Sequence, residues 1–284
     1  MPKIIAVVGP TASGKSALGV SLAKKLRGEI ISADSRQIYK GMAVISRAER
    51  GHMVGIKDPR KTYSSGQYTK DAQKIIAQIL KRKKVPIIVG GAGFYADALL
   101  RGFTLPEVEP NKKLRATLEK KSLVQLLALL KKLDKKSAAR VDPQNRVRLI
   151  RAIEIAQALG AVPTLIVNTI YDVLWLGVRP NKKDHTGNIR RGVEARLKLG
   201  MVREAKKLRA LLSPKRYLEL GFEFTLLADY LDKKISKKEL VGGLVRGERK
   251  YAIRQMRWFK RNQDIRWVKN HAEAMRLTKK FLVE

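Results

Sequence analysis

Lys3-Ile4-Ile5-Ala6-Val7-Val8 runs directly into Gly9-Pro10-Thr11-Ala12-Ser13-Gly14-Lys15-Ser16. The first stretch is an apolar, β-branched run that reads as a buried strand. Leu18, Leu22 and Leu26 then recur at helical spacing. Between strand and helix the residues match G-x-x-x-x-G-K-[ST] at every fixed position. This order of elements points successive backbone N–H groups and the positive end of the helix dipole at one spot, where an anion is stabilised. Lys15 adds a mobile charge, and the Ser16 hydroxyl offers a ligand for Mg²⁺. Gly9, Pro10, Thr11, Ala12, Ser13, Gly14, Lys15 and Ser16 are therefore the expected phosphate- or diphosphate-binding residues.

The alternation continues outward from this loop. Glu29–Asp34 reads as a second strand ending in a carboxylate, and Asp71–Lys83 as a helix with Ile75, Ile76, Ile79 and Leu80 on one face. Val85–Val89 is a buried strand that breaks at Gly90-Gly91. Strands spaced by helices at this rhythm predict an α/β fold, a P-loop NTPase-like parallel sheet flanked by helices. Ligands of such sheets gather at the carboxyl ends of the strands, where the loop, Asp34 and Gly90-Gly91 all fall. From Asn111 to Leu159 the pattern is helix after helix, and Asp172–Val178 is a strand again. The expected organisation is a first part of the core over 1–110, a small helical insert over 111–164, and the remainder of the core with basic C-terminal helices over 165–284.

Charge is the second strong signal. The 284 residues hold 61 Lys and Arg against 25 Asp and Glu, a formal net charge of +36. That exceeds by far the charge of about 2–8 that keeps a small domain soluble, and such a field attracts polyanions, nucleic acid first among them. Within the insert, Lys112–Arg140 carries ten Lys or Arg and two acids. Val241–Asn270 reads as helical, with nine Lys or Arg against Glu248 and Asp264. On a helical wheel Arg246, Lys250, Arg254, Arg257 and Arg261 share one stripe, a track for phosphates, while Val245, Ala252, Met256 and Phe259 cluster on another side. Trp258 and Trp267 are candidates for stacking on bases. There is no cysteine, no run of about 20 apolar residues that would span a membrane, and no room for a leader before the first strand. A cytoplasmic monomer is expected. His52, His185 and His271 are scattered without metal-ligand spacing and read as surface or loop residues.

Most such loops serve γ-phosphate chemistry with a Mg²⁺-holding Asp at the end of a neighbouring strand. Here the third strand ends in Gly90-Gly91, and Asp34 is the one carboxylate placed at a strand end beside the loop, as a metal ligand through water or as a general base. Ser32-Ala33-Asp34-Ser35-Arg36-Gln37-Ile38-Tyr39-Lys40-Gly41-Met42, following the phosphate loop, resembles the tRNA dimethylallyltransferase family. Further pieces stand in that family's order: Asp58-Pro59 with Tyr63–Tyr68, Pro86–Tyr95, Arg148–Ile155, and Arg254-Gln255-Met256-Arg257-Trp258-Phe259.

The resemblance implies an enzyme whose loop holds the diphosphate of dimethylallyl diphosphate, bridged by Mg²⁺ to Ser16. Asp34 is then the base that takes the N6 proton of a flipped adenine, and Lys15 stabilises the departing diphosphate. The partner is the anticodon stem-loop of tRNA. Ser35, Arg36, Gln37, Tyr39, Arg254, Gln255 and Arg257 are the residues expected to contact it, with Gln37 and Gln255 as readers of the base. Several positions depart from the family's pattern. The usual Asp-Ile-Gly-Thr-Ala-Lys-Pro is Ala43-Val44-Ile45-Ser46-Arg47-Ala48-Glu49, and Gly-Gly-Thr-Gly is Gly90-Gly91-Ala92-Gly93. The Arg-Ile-x-x-Arg segment is Asn188-Ile189-Arg190-Arg191-Gly192, Gly-Tyr-Lys-Glu is Gly221-Phe222-Glu223-Phe224, and the Lys before Arg-Gln is Ile253. Arg47, Arg190 and Arg191 are the cations at hand to replace the groups lost. Two other classes stay open: a P-loop kinase acting on a small molecule or nucleotide with ATP, and a non-catalytic RNA-binding relative.

Overall fold

A computed structural model describes residues 1–48, 50–180 and 184–284. Glu49, the last residue of the altered stretch, lies outside them. The chain forms two compact units, 1–102 with 169–284, and 103–168.

The larger unit is built on five parallel strands: β1 Lys3–Val8, β2 Glu29–Ser32, β3 Pro86–Gly90, β4 Asp172–Val178 and β5 Arg266–Val268, in the order β2-β3-β1-β4-β5. β1 is central, with Ile5 opposite both Ile87 and Leu174. Successive side chains leave opposite faces of a strand, so Ile4, Ala6 and Val8 join one core and Ile5 and Val7 another. The first core is covered by α2 Ser65–Lys81, α3 Gly93–Leu100 and the end of α12 Lys237–Phe259, whose Phe259 is buried against the sheet. The second is covered by α1 Lys15–Leu26 and α13 His271–Val283, through Leu18, Leu22 and Ala274. Burial on both faces is why these strands read as unbroken apolar runs. Each fully buried Ile or Leu contributes about 1.5–3 kcal/mol.

A third core joins α8 His185–Lys198, α9 Met201–Leu211, α10 Pro214–Glu219, α11 Phe222–Leu231 and α12 around Phe224, Leu240 and Leu244. Met42 and Ile45 plug into it, which ties the turn after the Asp34 segment to the helical layer. The smaller unit holds α4 Lys112–Glu119, α5 Leu123–Leu133, α6 Lys135–Arg140 and α7 Arg146–Leu159, packed on Leu126, Leu130, Leu149 and Ile153. Among the described residues no helix is long and apolar enough to cross a membrane.

Three local expectations need correction. The second helix begins at Ser65, not Asp71, because Ser64 and Gln67 close a reciprocal capping box ahead of the apolar face. The basic C-terminal helix ends at Phe259, so Arg261 stands in the turn beyond it. That turn leads into β5, a three-residue edge strand that the sequence reading had as helix.

Candidate active site

The phosphate loop is shaped by three backbone constraints. Gly9 lies so close to the end of β4 that a Cβ there would sit 2.5 Å from the Val178 carbonyl oxygen. Ala12 and Gly14 take left-handed conformations, φ 56° and 92°, which curl the chain. Gly14 is the N-cap of α1 and has no side chain to occupy that helix's first N–H groups, which are left for an anion. Thr11, Ala12, Ser13, Gly14, Lys15 and Ser16 line a cavity of about 340 Å³, joined by Asp34, Arg36, Gln37 and Gly90 from the ends of β2 and β3. Gly9 and Pro10 stand behind the lining, and the Pro10 carbonyl accepts from Lys15 Nζ at 3.1 Å. The Ser13 hydroxyl is buried without a partner among the described residues, a donor that an anion in the loop would satisfy.

Asp34 lies two residues past β2. Its Oδ1 accepts from the N–H groups of Arg36 at 2.9 Å and Gln37 at 3.4 Å, closing a tight turn. Its other oxygen has no protein partner among the described residues. One oxygen fixes the turn, the second is left without a protein partner, and the residue lines the cavity, so the turn-forming and proton-accepting readings of Asp34 are compatible. Lys15 keeps part of its surface toward the cavity while protein crowds it elsewhere. That burial, countered by Asp34 and reinforced by Arg47 and Arg36, lowers its pKa to about 8.

Around this centre stand charged residues that the sequence reading did not single out. Glu223 is 1% exposed and pairs with Arg36, whose guanidinium also lies over the Tyr251 ring. Burial opposes the Arg36 charge, but Glu223 and Asp34 outweigh it and raise its pKa. Glu248 is buried between two cations, Arg196 on one oxygen and Arg47 on the other at 3.1 Å. His185 donates from Nε2 to the Thr11 carbonyl at 3.0 Å and so steadies the loop, a contact no metal-ligand spacing would have revealed. The pairings themselves are not marked by any motif, because the partners lie far apart along the chain.

The residues expected to meet RNA separate into groups. Arg254 and Arg257 are exposed on α12, as are Arg246 and Lys250. Tyr39 is half-buried under the Arg216 guanidinium, and Ser35 is half-buried outside the cavity lining. Gln37 and Gln255 line the cavity, but their amides are committed. Gln37 accepts from Ser32 Oγ at 2.7 Å and donates to the Ser46 and Arg47 carbonyls at 3.2 Å each. Gln255 accepts from the Thr11 N–H at 2.8 Å and donates to the Gly91 carbonyl at 2.9 Å. Both hold the site's backbone, Gln37 with two donor bonds and Gln255 with one. Trp258 is likewise occupied, donating to Asp97 at 2.7 Å and meeting Phe94 edge-on. Of the three candidate replacement cations, only Arg47 lines the cavity; Arg190 and Arg191 are exposed and paired with Glu194 and Asp184.

The profile of the family described as IPP transferase matches residues 37–262, and that of isopentenyl transferase residues 2–63. The tRNA dimethylallyltransferase of Pelotomaculum thermopropionicum is 34% identical over 94% of this chain and 90% of its own length. This chain belongs to the tRNA dimethylallyltransferase family. The tRNA dimethylallyltransferase of Halalkalibacterium halodurans is 33% identical, over 93% of this chain and 90% of that protein. Among solved structures, the tRNA isopentenylpyrophosphate transferase of Bacillus halodurans superposes with a TM-score of 0.74 at 30% identity, covering 99% of this chain and 97% of that one. A eukaryotic dimethylallyltransferase crystallised acting on tRNA shares the fold, with a TM-score of 0.82 at 24% identity over 94% of this chain and 74% of its own. In this member of the family the ends of a parallel sheet gather the phosphate loop and Asp34.

Proposed function

We propose that this chain transfers the dimethylallyl group of dimethylallyl diphosphate to N6 of an adenosine beside the anticodon of a tRNA, releasing diphosphate. One observation carries the reading: the phosphate loop, Lys15 and Asp34, which keeps one oxygen without a protein partner among the described residues, line the same cavity. The relatives' shared name, tRNA dimethylallyltransferase, supports it.

In this reading the diphosphate rests on the N–H groups of Ser13 to Ser16, with the Lys15 ammonium beside it. As the allylic C–O bond breaks, its electron pair leaves with the diphosphate. The N6 lone pair forms the new C–N bond, and the N6 proton passes to Asp34. Donors already in place around the leaving oxygen act where charge develops, with little reorganisation. Ser16 would hold Mg²⁺. A small ion that keeps water would take its remaining ligands from substrate phosphate. Such an ion supplies charge neutralisation of the diphosphate. The exposed cations Arg246, Lys250, Arg254 and Arg257 follow the RNA backbone.

The test is incubation with labelled dimethylallyl diphosphate, Mg²⁺ and an unmodified tRNA bearing adenines 3′ of its anticodon, with ATP assayed separately. Label in the RNA with no ATP consumed is the expected result. ATP hydrolysis without transfer would put a kinase in its place, and RNA binding without either would leave a non-catalytic relative.

A further inference from the structure

A diphosphate carries charge on two phosphoryl groups, yet the phosphate loop contributes a single side-chain cation, Lys15. We propose that Arg47 is the second cation of this site and takes the distal phosphate of the diphosphate. This rests on the reading of the cavity as a diphosphate site.

The turn that carries Arg47 is held to an unusual degree. Arg47 has a left-handed backbone, φ 54°, a conformation unfavourable for a residue with a Cβ and one that tends to persist at functional sites. The Glu204 carboxylate accepts from the N–H groups of Val44 at 3.1 Å and Ile45 at 2.7 Å. Ser46 Oγ donates to the Met42 carbonyl at 2.5 Å, and Gln37 donates to the carbonyls of Ser46 and Arg47 itself. Met42 and Ile45 are anchored in the helical core.

The guanidinium is positioned as well, by one carboxylate and by α8. Its Nη2 donates to Glu248, and it lies so flat on α8 that a Cβ at Gly192 would come within 2.3 Å of that nitrogen. Glu248 does not neutralise it fully, because the same carboxylate also serves Arg196, which is 4% exposed and donates further to the Ile45 and Gly192 carbonyls. One anion shared by two guanidiniums leaves a net positive charge at the cavity wall. Arg47 keeps 31% of its side chain exposed against 4% for Glu248, and its Nε and Nη1 have no acceptor among the described residues.

The charges lining the cavity sort the same way. Arg36 is taken by Glu223 and Arg196 by Glu248, which leaves Lys15, with Asp34 nearby but not in ion-pair contact among the described residues, and Arg47, which only shares Glu248. Burial does most to depress the Lys15 pKa, Asp34 opposes it, and Arg47 adds to the depression. An anion spanning the two cations relieves their repulsion, and a guanidinium offers the paired donors that match phosphate oxygens. A monophosphate seated in the loop meets Lys15 without needing Arg47, so the two anions distinguish the roles.

The experiment is calorimetric titration of the whole protein with inorganic diphosphate and, separately, orthophosphate, at fixed Mg²⁺ and salt. Arg47→Ala is expected to weaken diphosphate about 10- to 100-fold, as loss of a charge-assisted pair does, and orthophosphate by less than about threefold; Arg47→Lys should fall between. Gly192→Ala, which displaces the guanidinium while leaving its charge, should weaken diphosphate in the same direction, and it serves as the readout if Arg47→Ala melts early. Equal losses for both anions would make Arg47 a support of the loop and overturn the proposal, as would unchanged diphosphate affinity or a wild-type protein that binds no diphosphate. Arg47-dependent diphosphate binding in a protein without prenyl transfer would sink the transferase reading and leave the assignment of Arg47 standing.

Discussion

The amide of Gln255 bridges the two strand ends that build the phosphate site, accepting from the Thr11 N–H at 2.8 Å and donating to the Gly91 carbonyl at 2.9 Å. It comes from α12, the helix whose outer side carries the exposed arginines. The tightness of the bridge shows at Gly91, where a Cβ would lie 2.1 Å from Gln255 Nε2. Gln255→Ala strips a half-buried donor, the Thr11 N–H, and a buried acceptor, the Gly91 carbonyl, of their partners, at about 1–3 kcal/mol each where water does not replace them. Urea unfolding should register that loss, and diphosphate affinity should fall with it as the loop loosens. Gln255→Glu keeps an acceptor for Thr11 but sets a carboxylate against the Gly91 carbonyl, so it should not rescue. A variant as stable and as tight as wild type would show that the bridge is incidental.

Asp34→Asn preserves the oxygen that accepts from Arg36 and Gln37, so the turn should survive. What it removes is a base. Transfer should fall by about 10²- to 10⁴-fold, the usual contribution of general base catalysis, while RNA and diphosphate affinities stay close to wild type. Single-turnover kinetics separate the chemical step from binding. An unchanged single-turnover rate would take Asp34 out of the mechanism.

The contrast between Asp34 and Glu248 explains what could be read in advance. Asp34 sits at a strand end next to a local motif, and its turn closes within three residues. The strand, loop and first helix are legible for the same reason, since apolar periodicity and glycine placement act over a few residues. Glu248 meets Arg47 across 201 positions, and Gln255 meets Thr11 across 244. Such pairings follow from topology, and one sequence does not display them. Gln255 was legible as important but not in its role: a motif fixes an identity, and only the packing shows whether its amide faces a ligand or the backbone. β5 escaped because three residues with an exposed Arg266 carry too little alternation to outweigh a basic, helix-like neighbourhood.

Lys15 makes diphosphate binding depend on pH. Its folded pKa of about 8 lies below the ordinary 10.5, so the free protein holds a charged ammonium below pH 8 and loses it above. A bound anion favours the charged form, so above pH 8 binding must take up a proton. Diphosphate affinity should be flat from pH 6.8 to 7.5, once the ligand's own titration is corrected for. It should then weaken by up to about tenfold per unit beyond pH 8, until the pKa of the complex is reached. Calorimetry in buffers of different ionisation enthalpy measures the proton uptake directly. Lys15→Arg, which stays protonated, should abolish the slope even if its affinity is lower. A slope that persists in that variant would assign the titration to another group.

The exposed stripe on α12 is the last and most general test, because it bears on RNA and not on the cavity. Arg246, Lys250, Arg254 and Arg257 have no carboxylate partner among the described residues, although Arg254 also lies over the Tyr251 ring. Four unpaired cations on one helix repel one another unless an anion runs along them. Each phosphate contact releases counterions and adds about 0.7–0.9 to the slope of log affinity against log salt. Replacing all four by Gln should lower the magnitude of that slope by roughly 3 for a tRNA ligand, on the same per-contact figure. It should weaken binding at low salt far more than at high salt, and leave inorganic diphosphate affinity untouched. Filter binding across a salt series gives the slope. The same slope in wild type and the quadruple variant would move the RNA track to another face, with the basic Lys112–Arg140 surface of the smaller unit the next to be neutralised.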